Sequence, residues 1–329
     1  MPGVGILGAG YFGAFHARAI AALPELRLAA VCAEQLALAE AFAAEHGGTP
    51  YGDWRAMLDD RAVDIVAITA PHHLHAELAV AALRAGKHVF LEKPMALSVA
   101  ECSCIMTAAE AGRRKLMIGQ IMHFVWPCLV ARQILDRGDL GRPVTGSSRL
   151  QKTWMEQNRR GWHLDPATGG GMLMTAGIHA LDQLVWLMNG RVGSVSAAAG
   201  TSFHDQKADD SAMMLLRFAD GRFGQVASIG FRDGAGTFDI DLVCERGTLR
   251  IDFERGVSIG QGGKWTEIAD SHDPAWMQNA VVREWQAMAA AIRDGTEVPV
   301  TGDYGRHIMA CIEAAKISAR ERRDVDVGA

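Results

Sequence analysis

Two patterns of apolar and polar positions divide the chain. Over the first 120 positions, short apolar runs at residues 4–7, 26–31, 63–69, 88–91 and 116–119 read as strands. Between them lie Ala- and Leu-rich stretches of helical period at residues 12–22, 36–46, 53–58, a segment that ends at Ala85, and 98–111. The run at 63–69 is apolar throughout, as in a strand buried on both faces of a parallel sheet. Asp53 stands where a helix cap belongs, and Gly47-Gly48 and Gly86 stop the helices before them. Strand and helix alternation predicts βαβ units, whose one-handed crossovers bring the loops after the strands to one carboxyl edge.

After Gln120 the pattern changes. A helix is predicted at 127–136 and a strand at 144–150, and Gly169-Gly170-Gly171 opens a long apolar helix to Met188. Strands then follow one another at 195–201, 211–218, 222–231, 237–244 and 248–253, with turns at Asp220-Gly221, Asp233-Gly234 and Arg246-Gly247. Links this short predict a largely antiparallel sheet with one open face. Helices at 276–293 and 303–320 close the chain.

Gly8-Ala9-Gly10-Tyr11-Phe12-Gly13 lies between the first strand and the first helix. In that context the pattern is a dinucleotide turn. The first glycine allows the tight bend, the second lets backbone approach a pyrophosphate, and the third lets the helix pack on the strand. The anion then rests on the unpaired N–H groups of the helix start. The expected fold is therefore α/β: a Rossmann domain over residues 1–121, then an α/β domain over 122–329 with an open, mostly antiparallel sheet. The last helix is expected to return to the first domain. At the end of the second strand Glu34 is the acid available to a ribose, and no Arg or Lys follows until Arg55. NAD is favoured, with NADP as the alternative, while Glu34 also suits a plain helix start.

Composition narrows the class further. The 329 residues carry a formal net charge of −5, with 22% charged and 49% apolar residues. That length suits two domains, and the absence of a basic stripe argues against a nucleic-acid surface. No apolar run approaches a membrane span, and Met1-Pro2-Gly3 leads straight into a strand with no signal-peptide pattern. The six Cys form no metal or redox pair, so a cytoplasmic protein with reduced thiols is expected. His72, His73 and His75 lack a second ligand set, and no metal is assigned.

The stretch Ala85-Gly86-Lys87-His88-Val89-Phe90-Leu91-Glu92-Lys93-Pro94 resembles a signature of the glucose-fructose oxidoreductase/inositol dehydrogenase/rhizopine-catabolism (Gfo/Idh/MocA) family. The glycine turn, Ala70-Pro71 with His75, Gly169-Gly170-Gly171 with Gly177-Ile178-His179 and Asp182, and Glu313-Ala314-Ala315 with Ser318 match as well. The resemblance implies an NAD(P)-dependent dehydrogenase or reductase of a small polyol, sugar or cyclic diol. It places the cofactor on Gly8, Gly10, Tyr11, Phe12, Gly13, Glu34, Ala70, Pro71, His75, Glu92 and Lys93. It makes Lys93 and His179 catalytic, with His179 taking a hydroxyl proton and Lys93 stabilising the substrate oxygen.

Thr175 departs from the family, which usually has an Asp there. Asp165 and Asp182 are the acids that could compensate, although Asp182 fits a structural role better. Family members often place an Arg near His123. Trp154, Arg159, Trp162 and His163 precede the triple glycine in a stretch that often lines the substrate pocket. With Thr175 and His123, the residues Arg159, Trp162 and His163 form the expected substrate set. The missing acid keeps a rival reading open, a catalytically inactive NAD(H)-binding sensor. A biliverdin-reductase-like or dihydrodiol dehydrogenase activity is a third. The open sheet face, with Met213, Leu215 and Phe218, implies a homodimer or homotetramer.

Overall fold

The computed structural model describes residues 1–328. Its first elements are β1 (Gly3–Leu7), α1 (Tyr11–Ala21), β2 (Arg27–Cys32), α2 (Leu36–His46), β3 (Thr49–Tyr51) and α3 (Trp54–Asp59). They continue with β4 (Ile65–Ile68), α4 (His75–Arg84), β5 (His88–Glu92), α5 (Val99–Gly112) and β6 (Leu116–Gly119). The strands pair in the order β3-β2-β1-β4-β5-β6, every pair parallel. This is the Rossmann order, and its switch point falls between β1 and β4. All of β1 and β4 is buried, as their uninterrupted apolar runs require. Asp53 caps α3 by accepting the Arg55 N–H, and Ser98 with Glu101 forms a capping box on α5. β3 was not legible as a strand, because three residues are too few for a period. Its Pro50 is tolerated at the sheet edge.

The following elements are α6 (Trp126–Arg137), β7 (Pro143–Thr153), α7 (Ile178–Met188), β8 (Val192–Gly200), β9 (Ser211–Phe218), β10 (Phe223–Phe231) and β11 (Thr237–Cys244). Then come β12 (Gly247–Asp252), β13 (Gly256–Gln261), β14 (Lys264–Glu267), α8 (Trp276–Asp294), α9 (Gly302–Glu321) and β15 (Val325–Asp326). The second sheet has nine strands in the order β14-β13-β12-β11-β7-β10-β9-β8-β15. Only the β7–β10 pairing is parallel. α7 packs on β7 and β10 and is buried on nearly every side. The sequence pattern missed β13, β14 and β15, whose Gly-rich or very short runs carry little alternation.

One grouping of outer-face residues needs correction. Along β9 burial alternates, so Ala212, Met214, Leu216 and Phe218 point into the core while Met213 stays exposed and Leu215 half-exposed. Phe218 therefore lies on the covered face, opposite Met213, because side chains in a strand repeat with period two.

By contact the chain forms two compact units. One comprises Met1–Ile121 with Met277–Arg306, and the other Met122–Trp276 with the chain from His307 onward. In the first unit α8 places Trp285 fully buried and stacked on Phe90 of β5, with ring centroids 4.9 Å apart. The link before α9 also bonds this sheet, since the Ile118 N–H donates to the Val300 carbonyl at 3.1 Å.

Candidate active site

At the β1–α1 turn the three glycines differ in surroundings. Gly8 has φ +121°, and a Cβ there would lie 2.7 Å from the Thr69 carbonyl oxygen. A Cβ on Gly13 would meet the Gly8 carbonyl oxygen at 2.3 Å. Both are packing requirements. Gly10 is different: a Cβ there would meet no heavy atom within 4 Å, so open space stands over the helix start. α1 begins at Gly10 with no side-chain cap and no acid in its first turn. Its initial N–H groups and dipole end are thus suited to a pyrophosphate, and the turn fits a dinucleotide. The Thr69 hydroxyl, at the end of β4, donates to the Gly8 carbonyl at 2.8 Å and so secures the turn. Tyr11 is exposed beside it, whereas Phe12 stacks on Phe15 with centroids 5.6 Å apart. Glu34 is exposed just beyond the carboxyl end of β2.

The loops after β4 and β5 bring Ala70, Pro71, His75, Glu92 and Lys93 to the same edge. Buried His75 ties them together: Nδ1 lies 2.7 Å from the Pro94 carbonyl oxygen and Nε2 lies 2.9 Å from that of Ala70. Burial pushes this imidazole below its usual pKa, although the two carbonyls and Glu92 pull the other way. A neutral ring donates to only one of the two carbonyls at a time. Lys93 is half-buried at the end of β5, next to the buried Glu92. Glu92 Oε1 lies 3.0 Å from His16 Nε2, and His16 Nδ1 accepts from Trp285 Nε1 at 3.0 Å.

In the second unit the triple glycine leads into a single π turn, Leu173–Gly177, before α7 begins. The predicted helix is present but is not uniformly α; wide turns of this kind are frequent at functional sites. From Gly169 to Val185 every residue is buried except Thr175 and His179, which are half-exposed. Both residues are therefore partly accessible while those around them are buried, although the Thr175 hydroxyl oxygen and His179 Nδ1 themselves lie below the surface. Its start is held by Asp209, whose Oδ2 accepts the Leu173 N–H at 2.8 Å and whose carbonyl accepts the Met172 N–H at 2.9 Å. Burial raises the Asp209 carboxyl to a pKa of about 6. Lys316 of α9 reaches Met174 Sδ at 2.9 Å, and burial pushes its pKa down while Asp209 pulls it up.

The remaining expected site residues have internal partners. His123 Nε2 lies 2.9 Å from Asp182 Oδ1, and the ring stacks on Trp186 with centroids 4.4 Å apart. Asp182 is fully buried there and serves to anchor α7. Arg159 donates to the Trp154 carbonyl and to Glu156 Oε2, both at 3.0 Å, and lies over the Trp154 ring. Trp162 stacks on buried His163, whose Nδ1 accepts the Arg160 N–H at 3.0 Å. Asp165 pairs with Lys207 at 3.0 Å. Among the described residues no three His, Cys, Asp or Glu side chains gather as a metal ion would require.

Sequence reasoning missed Thr69, His16, Trp285 and Asp209. His16 had a signal, a polar side chain on the inward face of an Ala-rich helix. The other three act across long sequence separations and have no local mark.

Two family models account for most of the chain: an oxidoreductase family with an NAD-binding Rossmann fold over residues 3–120, and the GFO/IDH/MocA C-terminal domain over residues 128–250. The chain belongs to the Gfo/Idh/MocA oxidoreductases. Among relatives of this family, inositol 2-dehydrogenase of Rhizobium meliloti is 27% identical over 98% of both chains. Levoglucosan dehydrogenase of Pseudarthrobacter phenanthrenivorans is 26% identical over 77% of this chain and 74% of its own. An NAD binding oxidoreductase from Klebsiella pneumoniae superposes with a TM-score of 0.90 at 25% identity, covering 100% of this chain and 99% of that one. As a Gfo/Idh/MocA member the chain is an oxidoreductase whose cofactor is NAD, in keeping with the open glycine turn. No helix among the described residues is long and apolar enough to cross a membrane.

Proposed function

We propose that this oxidoreductase interconverts a secondary alcohol of a small polyol, sugar or cyclic diol with the matching ketone. The observation that carries the reading is the partial exposure of Thr175 and His179 alone on an otherwise buried helical run. NAD supplies the hydride acceptor. Lys93 holds the substrate oxygen and stabilises the charge that develops on it. His179, as a neutral imidazole, takes the hydroxyl proton. Thr175 binds a neighbouring hydroxyl through an uncharged group, which suits a neutral polyhydroxy compound. Relatives named for inositol and levoglucosan support that class. Glu34 is the proposed ribose partner and the basis of a preference for NAD over NADP.

The domain reading follows the same line: residues 1–121 bind the cofactor, and residues 122–329 bind substrate and carry the subunit interface. Exposed Met213, Phe223 and Val243 on the second sheet support a homodimer or homotetramer, expected in the cytoplasm. Light scattering should then give at least twice the 35.4 kDa chain mass, and a stable monomer would refute the interface. Activity is tested by screening inositols, levoglucosan, aldoses and cyclic diols for reduction of NAD at 340 nm. Turnover of a member of these classes is expected. Firm NAD binding with no turnover of any of them would favour the sensor instead.

A further inference from the structure

One buried histidine in the first unit touches the strand end from which Lys93 projects. His16 lies on α1 and has no solvent exposure. Its Nε2 lies 3.0 Å from Glu92 Oε1, and its Nδ1 lies 3.0 Å from the indole nitrogen of Trp285 on α8. An indole N–H only donates, so Nδ1 must accept. The ring proton therefore sits on Nε2, where it donates to Glu92. Trp285 thus selects the tautomer of a histidine on the dinucleotide helix. Phe12, Phe90 and Trp285 pack edge-on to the ring, with centroids 5.4, 5.0 and 5.9 Å away, and hold it in this orientation. Gly119 also lies close to this carboxylate: a Cβ there would lie 2.8 Å from Oε1.

We propose that His16 is a positioning residue for the reaction: by holding Glu92, the last residue of β5, it sets the backbone from which Lys93 reaches the substrate. The inference rests on the role given to Lys93 above. The His16 ring bonds Glu92 and Trp285, and of these Glu92 is the neighbour of Lys93, so its influence runs through Glu92. A shift of about 1 Å in a group that must meet a reacting atom costs on the order of 10²-fold in rate. That is the leverage a buried donor acquires one residue away from the lysine.

The test reads Lys93 directly. In the full chain loaded with NADH, lysines are reductively methylated with ¹³C-formaldehyde, and the Lys93 signal is the one lost in Lys93→Arg. His16→Leu should move that signal and its titration midpoint while NADH affinity changes less than about threefold. His16→Gln keeps an N–H toward Glu92 and should restore the signal, a rescue that a purely space-filling role would not give. Trp285→Phe, which frees the tautomer, should move the signal in the same direction by a smaller amount. An unmoved signal in folded His16→Leu, or a failure of His16→Gln to rescue, overturns the proposal. Should His16→Leu fail to fold by circular dichroism, Trp285→Phe decides, and an unmoved signal there overturns it. Inositol turnover is measured alongside. Unchanged turnover in Lys93→Ala refutes the role of Lys93 in catalysis, whereas the Lys93 signal reports on His16 regardless.

Discussion

Asp209 Oδ2 accepts the backbone N–H of Leu173 at 2.8 Å, at the start of the helical run that carries Thr175 and His179. The carboxyl supports a helix start as a capping acid does, yet burial raises its pKa from 3.8 to about 6. Unfolded, the group releases its proton near the lower value. Between the two values the native state holds more protons, so stability falls as pH rises through that window. Asp209→Asn keeps an oxygen for the Leu173 N–H and removes the titration. Relative to wild type it should gain about 2–3 kcal/mol between pH 4 and pH 7.5. Urea unfolding at both pH values checks this; a constant difference between the two proteins would show that Asp209 does not titrate in the window.

The glycine turn yields a contrast between two substitutions. Gly13→Ala puts a methyl 2.3 Å from the Gly8 carbonyl oxygen, so it should destabilise the protein by about 1–3 kcal/mol through overpacking. Gly10→Leu meets no protein atom at its Cβ and should leave the melting temperature close to wild type. It should nevertheless abolish NAD binding, because its side chain fills the pyrophosphate's place. Thermal melts and calorimetry on both variants separate the two roles, and a Gly10→Leu protein that still binds NAD would refute the assignment.

Much of the first unit was legible because its physics is local. Continuous apolar runs marked β1 and β4, and the glycine spacing marked the turn without any tertiary information. What escaped is non-local or too short. Trp285 reaches His16 across 269 positions and Asp209 reaches Leu173 across 36, and neither leaves a pattern in its own neighbourhood. Phe218 was assigned to the wrong face because apolar side chains alone do not say which parity faces the core when both carry them. Arg159, expected from the sequence in the substrate set, carries its own acid three residues earlier in Glu156, and folding pairs the two.

Cofactor choice depends on Glu34. An exposed carboxylate past the end of β2 favours ribose hydroxyls and repels a 2′-phosphate. NAD should bind more tightly than NADP, and Glu34→Ala should narrow the gap, chiefly by improving NADP. Calorimetric affinities that are equal in the wild type would remove Glu34 from the site.

The division of labour between Lys93, His179 and Thr175 can be read from kinetics. Lys93→Ala and His179→Ala each remove a group assigned to the transition state, so kcat should fall about 10²-fold or more. NAD affinity should change little in His179→Ala, since His179 belongs to the second unit and not to the glycine turn. Thr175→Val removes only a hydroxyl and keeps the side-chain shape within the π turn. If that hydroxyl binds a substrate hydroxyl equally in the ground and transition states, KM should rise about tenfold with kcat little changed. A fall in kcat at constant KM would instead put Thr175 in the chemical step, in the place the family usually gives to an acid. Indifference of kcat to both Lys93 and His179 would move the chemistry elsewhere.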